Sequence, residues 1–333
     1  MKHFITTQDW SRSSLQDLLD DARSLKRNPN QPLLEGRSIG LLFFNPSLRT
    51  RTSFEVGASE LGAHAVVLEP GKGAWPIEFE KGAVMDGDAE EHIIEAARVL
   101  SRYCDLLGVR NFPSFEDWET DRQDTLIREF AEHASVPVVN METIVHPCQE
   151  LALMMTLQEQ LGDPSESEFL LTWTYHPKPL NVAVANSALL IASKFGMDVT
   201  MLLPDEEYML DERYMDEARR QTEANGRELS VSYDVEAAYE GADVVYAKSW
   251  GALPYYGRWD EEEPLRNQHR DFIVDAEKMN RTDDALFSHC LPVRRNVTVA
   301  GEVLDSDRSV AIEEAENRIH VQKALMDHLV NRQ

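Results

Sequence analysis

The chain has 333 residues, long for a single core, so two domains are expected. No apolar run approaches the roughly 20 residues that cross a bilayer, and the start MKHFITTQDW lacks the apolar stretch of a signal peptide, so a cytoplasmic protein with no membrane partner is expected. A formal charge of −26, from 59 acidic against 33 basic residues, argues against a nucleic-acid partner, because a polyanion would be repelled.

The predicted elements alternate between strand and helix. Residues 34–44, LEGRSIGLLFF, read as a strand whose apolar end runs from Leu41 to Phe44. Asn45 and Pro46 stop it, and Ser47 suits a helix N-cap. The helix that follows, 50–62, opens with Thr50 and Arg51. Backbone N–H groups at a helix start favour an anion, and Ser47, Arg49 and Thr50 add hydroxyl and guanidinium donors there. With so acidic a chain, an anion site must concentrate its cations locally.

Strands are expected at 64–70, 105–110 and 136–141, with helices at 90–103, 122–134 and 148–161. Arg110 ends the strand DLLGVR, and Glu142 and His146 follow VPVVNM. The rhythm repeats with strands at 169–175, 198–204, 228–234, 244–250 and 286–292. Helices are expected between them at 181–195 and 211–225, and 314–330 closes the chain. Such βα alternation predicts mostly parallel sheets, α/β and doubly wound, with ligands at the carboxyl ends of the strands. Three cysteines, Cys104, Cys148 and Cys290, have spacings of neither a disulfide framework nor a metal site. Cys104 lies in a helical apolar pattern and is expected in the core.

Four segments fall in order across 47–318. They are Ser47-Leu48-Arg49-Thr50-Arg51, His146-Pro147-Cys148-Gln149, His289-Cys290-Leu291-Pro292, and Arg318 in the last helix. Together they resemble the signatures of the transcarbamylases, the aspartate and ornithine carbamoyltransferases, over nearly the whole chain. The resemblance implies two domains with the active site in the cleft between them. Residues 1–150 would bind carbamoyl phosphate and 151–313 an acylornithine, with the last helix, about 314–333, packing back on the first.

In that resemblance Ser47, Leu48, Arg49 and Thr50 hold the phosphate. Arg110, His146 and Arg318 polarise the carbonyl oxygen, and Gln149 binds the NH2 group. The Leu291 carbonyl and the Cys290 thiol lie near the attacking amine. A neutral amine attacks directly and the departing phosphate accepts its proton, so the resemblance implies neither cofactor nor metal. Family members are trimers that borrow a loop from the neighbour, and Trp75 is the expected borrowed residue.

The amine is read from three further segments, residues 173–181, 245–254 and 290–296, which resemble the N-acetylornithine branch. Lys248-Ser249-Trp250-Gly251 stands where ornithine enzymes carry Ser-Met-Gly. Lys248 and Arg294 suit the α-carboxylate of N-acetylornithine. Glu142 would accept from the substrate amide or position the amine, His176 would act through water, and Glu90 would select acetyl over succinyl by repelling a second carboxylate. Thr298 stands where the branch has a lysine, which bears on the carboxylate-binding loop. N-succinylornithine and ornithine remain the alternative amines, and a silent carbamoyl-phosphate-binding subunit the alternative class. A dinucleotide-binding dehydrogenase is disfavoured, since no GxGxxG follows the first strand.

Overall fold

A computed structural model describes residues 3–332. The chain forms two compact units. The first takes the residues through Pro113, Glu119–Leu151 and those from Asn317 on; the second takes Ser114–Trp118 and Ala152–Glu316.

The first unit opens with helix α1 (Arg12–Arg27), capped by Ser11 Oγ, which accepts from Ser14 N at 3.1 Å. Leu15, Leu18, Leu19, Ala22 and Leu25 recur at helical spacing and are its buried stripe. Strand β1 (Ser38–Phe43) leads into α2 (Leu48–Glu60), then β2 (His64–Leu68). Two short strands, β3 (Ile77–Glu78) and β4 (Glu91–His92), pair in parallel beside the main sheet. Helix α3 (Ile93–Tyr103), strand β5 (Leu106–Arg110), helices α4 (Trp118–Asp121) and α5 (Thr125–His133), strand β6 (Val138–Glu142) and helix α6 (Pro147–Leu161) follow.

The sheet is parallel in the order β2-β1-β5-β6. Its central strands are buried on both faces, which is why LLF and LLGV read as continuous apolar runs. Register pairs Phe43 with Arg110 and Arg110 with Glu142, so three strands end level. A shift between Val109 and Arg110 leaves Met141 without a partner in that ladder, and Glu142 has a φ of 149°.

The second unit begins with β7 (Glu168–Trp173), α7 (Ala183–Lys194) and β8 (Asp198–Leu202). Then come α8 (Glu212–Ala224), β9 (Leu229–Ser232), α9 (Val235–Tyr239) and β10 (Val244–Lys248). Helices α10 (Trp259–Gln268) and α11 (Ala276–Met279), strand β11 (Leu286–Ser288) and helices α12 (Gly301–Leu304) and α13 (Ala311–Asn331) complete the chain. The sheet is again parallel, in the order β11-β10-β7-β8-β9.

Residues 114–118 join this unit through aromatic side chains. Trp118 Nε1 donates to Asp211 at 2.7 Å, and Trp259 Nε1 donates to the Phe115 carbonyl at 2.9 Å. Gly257, at φ +79°, lies under them; a Cβ there would stand 2.1 Å from the Glu116 carbonyl oxygen.

Several boundaries differ from the expected ones. Helix α1 lies outside the βα alternation and was not anticipated. The helix expected at 122–134 starts only at Thr125, because Asp124 is left-handed at φ 54°. The strand expected through residue 292 ends at Ser288; Leu291 has a φ of 53° and its N–H bonds to His289 Nδ1 at 2.8 Å, which turns the chain.

Candidate active site

In the first unit, Ser47 caps α2 by accepting from Thr50 N at 3.2 Å. Leu48 points out, 80% exposed, while Thr50 is buried behind it. The α13 guanidinium of Arg318 reaches two elements at once. Its Nη2 donates to Thr50 Oγ1 at 2.8 Å and its Nη1 to Gln149 Oε1 at 3.0 Å, all three residues buried. One planar fork thus fixes the start of α2 and the start of α6.

Arg110, also buried, ion-pairs with Glu142 and lies over the Phe112 ring at 4.5 Å. Phe112 N in turn donates to Asn45 Oδ1 at 2.6 Å, fixing the turn after β5 against the one after β1. His146 Nε2 is 3.5 Å from the same Glu142 carboxylate. Burial pushes the His146 pKa well below the ordinary histidine value, and the positive charges of Arg318, Arg110 and Arg49 push it the same way. The ring is therefore neutral at physiological pH and offers a hydrogen bond rather than a charge. Arg318 is likewise lowered, first by burial; Cys148 and Glu142 oppose this, and Arg110 and Arg49 add to it.

The expected residues Ser47, Arg49, Thr50, Arg110, Glu142, His146, Gln149 and Arg318 therefore belong to one unit, and charge or hydrogen bonds link all of them. Phe112 and Asn45, which hold Arg110 and its turn, were missed by sequence reasoning. The aromatic two residues after Arg110 was the available signal. Cys148 is buried, and burial raises its pKa to about 12, so it is an inert thiol. Cys104 is buried as expected. Trp75 is 57% exposed and donates from Nε1 to Glu91 at 2.7 Å. Glu90 is exposed in the loop after β3.

In the second unit, Lys248 ends β10, level with Trp173 at the end of β7. It is only 7% exposed, and its Nζ donates to the Ser249 carbonyl at 2.9 Å. Thr174 N donates to the Lys248 carbonyl at 3.1 Å, locking the two strand ends together. Arg294 Nε donates to His176 Nε2 at 2.9 Å, so the structure brings these two expected residues together. Thr298 is buried and donates to the Tyr175 carbonyl at 3.1 Å. The position expected to carry a lysine thus ties the loop after β11 to the loop after β7. Cys290 is buried beside Leu291.

The first half of the chain, residues 2–159, matches the carbamoyl-phosphate-binding domain of the aspartate/ornithine carbamoyltransferases. Residues 180–329 match their aspartate/ornithine-binding domain. The chain is 60% identical over 332 residues to the N-acetylornithine carbamoyltransferase of Xanthomonas campestris pv. campestris, covering 99% of this chain and 98% of the relative. It is 38% identical over 321 residues to the N-succinylornithine carbamoyltransferase of Bacteroides fragilis, covering 96% and 95%. A crystal structure of acetylornithine transcarbamylase complexed with acetylcitrulline is 60% identical and superposes with a TM-score of 0.99 over all of both chains. The chain belongs to the aspartate/ornithine carbamoyltransferase family.

Proposed function

We propose that this chain transfers the carbamoyl group of carbamoyl phosphate to the side-chain amine of N-acetyl-L-ornithine. The products are N-acetyl-L-citrulline and phosphate, a step of arginine synthesis. The observation that carries the catalytic part is the buried fork of Arg318 on Thr50 and Gln149, beside Arg110 and neutral His146. A protein that only bound an anion would not need donors converging beyond the phosphate cradle.

Ser47, Leu48, Arg49 and Thr50 hold the phosphate with the free N–H groups at the start of α2. Arg110, His146 and Arg318 face the carbonyl oxygen and stabilise the oxyanion of the tetrahedral intermediate. Gln149 orients the NH2 group. The neutral amine forms its C–N bond, the C–O bond to phosphate breaks, and the amine proton leaves with the phosphate. Cys290 and the Leu291 carbonyl orient the amine. His289 does not act as a base toward Cys290 in this reading, because its Nδ1 already accepts from Leu291 N.

Lys248 and Arg294 take the substrate carboxylate and His176 supports them; Glu142 takes the amide or the amine. Glu90 selects acetyl, as a carboxylate that a succinyl group would meet with like charge. The first unit is the carbamoyl-phosphate-binding domain and the second the acylornithine-binding one. The active assembly is a homotrimer in which Trp75 serves a neighbouring copy. The support is that Trp75, Phe79, Val84 and Met85 leave large apolar side chains exposed in one loop region. The proposed compartment is the cytoplasm, which suits three buried free thiols.

Phosphate release from carbamoyl phosphate, with N-acetylornithine, N-succinylornithine or ornithine supplied in parallel, tests the reading. Turnover is expected with the acetyl compound. Preference for another amine would remove the role given to Glu90, and no turnover with any would leave a binding protein.

A further inference from the structure

We propose that His176 is a positioning residue: its neutral imidazole, held as the Nδ1–H tautomer, aims the Arg294 guanidinium at the substrate carboxylate, and acid therefore weakens the amine subsite. This rests on Arg294 being the carboxylate partner, as proposed above.

The tautomer follows from donor accounting. Arginine has N–H groups and no acceptor. His176 Nε2, 2.9 Å from Arg294 Nε, must therefore present its lone pair. Nδ1 lies 2.8 Å from the Lys178 carbonyl oxygen and 3.1 Å from the Lys178 N–H. Because Arg294 occupies the Nε2 lone pair, the one proton of a neutral ring sits on Nδ1 and goes to that carbonyl, the closer of the two. The Lys178 carbonyl thus fixes the ring, and the ring fixes Arg294 by its Nε. That leaves the Nη edge of the guanidinium for a carboxylate, the geometry in which arginine binds two oxygens. The contact joins a residue after β7 to one after β11, a second bond between the two loops that Thr298 and the Tyr175 carbonyl already tie together.

The charged groups facing the ring are Arg294, Lys248 and Arg266, all cationic. Burial lowers the His176 pKa most, the Lys178 bond opposes it, and the three cations lower it again. The ring is thus neutral, and competent as an acceptor, at physiological pH. Once protonated it would turn an N–H toward the Arg294 N–H. Affinity is then present above the lowered pKa and lost as pH falls through it. This sets His176 apart from a water-holding surface histidine, whose protonation would strengthen binding of an anion.

The test is binding of N-acetyl-L-norvaline, which keeps the acetamide and carboxylate and lacks the amine, so substrate amine titration drops out. Calorimetric Kd values are taken from about pH 7.5 to about pH 5 on wild type, His176→Gln, His176→Asn and Arg294→Ala, each checked for fold by circular dichroism. Glutamine places an acceptor near the Nε2 position and does not titrate; asparagine reaches only the Nδ1 position.

Wild type should bind evenly near neutrality and weaken in acid by up to about tenfold per pH unit below the ring pKa. His176→Gln should keep the neutral affinity within a few-fold and lose the acid limb. His176→Asn should bind about tenfold more weakly throughout. An acid limb that persists in His176→Gln, glutamine as poor as asparagine, or asparagine as good as wild type would each overturn the proposal. Arg294→Ala separates the two readings. If it binds like wild type, the carboxylate role of Arg294 fails; if it binds poorly while the His176 variants do not, only the positioning role fails.

Discussion

Arg318 shows what a single buried side chain contributes here. It is a fork on Thr50 and Gln149, its pKa lowered first by burial and further by Arg110 and Arg49. A lysine has one ammonium on a flexible stem and cannot span both partners in plane. Arg318→Lys should therefore lower kcat by about 10²–10³, with a small change in the KM for carbamoyl phosphate, in steady-state assays. A loss within tenfold would make Arg318 a structural clamp rather than an oxyanion donor. His146 and Gln149 were picked out by one short motif and Arg318 by its place in the last helix, and the structure brings the three together in one unit. The resemblance put His176 and Arg294 at one substrate, but their direct contact was not legible, since 118 residues separate the pair and His176 was expected to act through water.

Among the elements of the second unit, buried polar groups form a ladder behind the strand ends. Glu262, fully buried in α10, pairs with Arg266 and accepts from Tyr208 Oη at 2.9 Å. The Tyr208 carbonyl accepts from Trp250 Nε1 at 2.8 Å, and the Trp250 carbonyl from Trp173 Nε1 at 2.9 Å. The ends of β7 and β10, and so Lys248, hang on this chain of bonds. Glu262→Gln leaves the Arg266 charge buried without its counter-ion, and should cost about 3–5 kcal/mol in denaturant unfolding. Adding Arg266→Met should recover most of that loss. A single variant as stable as wild type would show that water or another group already compensates Arg266. The central strands β1, β5, β7 and β10 were legible because parallel strands buried on two faces are largely apolar runs of five or six residues. The aromatic docking of residues 114–118 was not, because FPSFEDW lies outside every predicted element and its partners Tyr256 and Trp259 come far later in the chain.

For the whole molecule, the question is whether one chain makes a complete site. The apolar loop side chains around Trp75 argue that a second copy covers them. Sedimentation should give three chains per particle. Trp75→Ala and Arg318→Lys variants, each nearly inactive alone, should regain turnover when mixed and reassembled, because some sites then receive both native residues. No recovery on mixing, with subunit exchange verified, would place Trp75 in its own chain's site. The charge of −26 was plain in the composition, but where the cations gather was not, because only the folded register brings Arg49, Arg110 and Arg318 around one histidine.

The discontinuous make-up of the first unit also sets an order of assembly. Its sheet, the start of α2 and α1 precede nearly all of the second unit in the chain. Yet Lys26 bonds to Asn317, 291 residues later, and the fully buried Lys323 donates to the Pro29 carbonyl and pairs with Glu60. The half of the protein that leaves the ribosome first must wait with these partners missing, and Arg318 joins its site only with the final helix. A chain cut before Asn317 would thus keep every residue of the second unit and leave the first without these polar bonds. Arg318 and the buried apolar face of α13, Val321, Leu325 and Leu329 among it, would be lost together, so the proposed carbonyl donor and the packing of the first unit depend on the same segment.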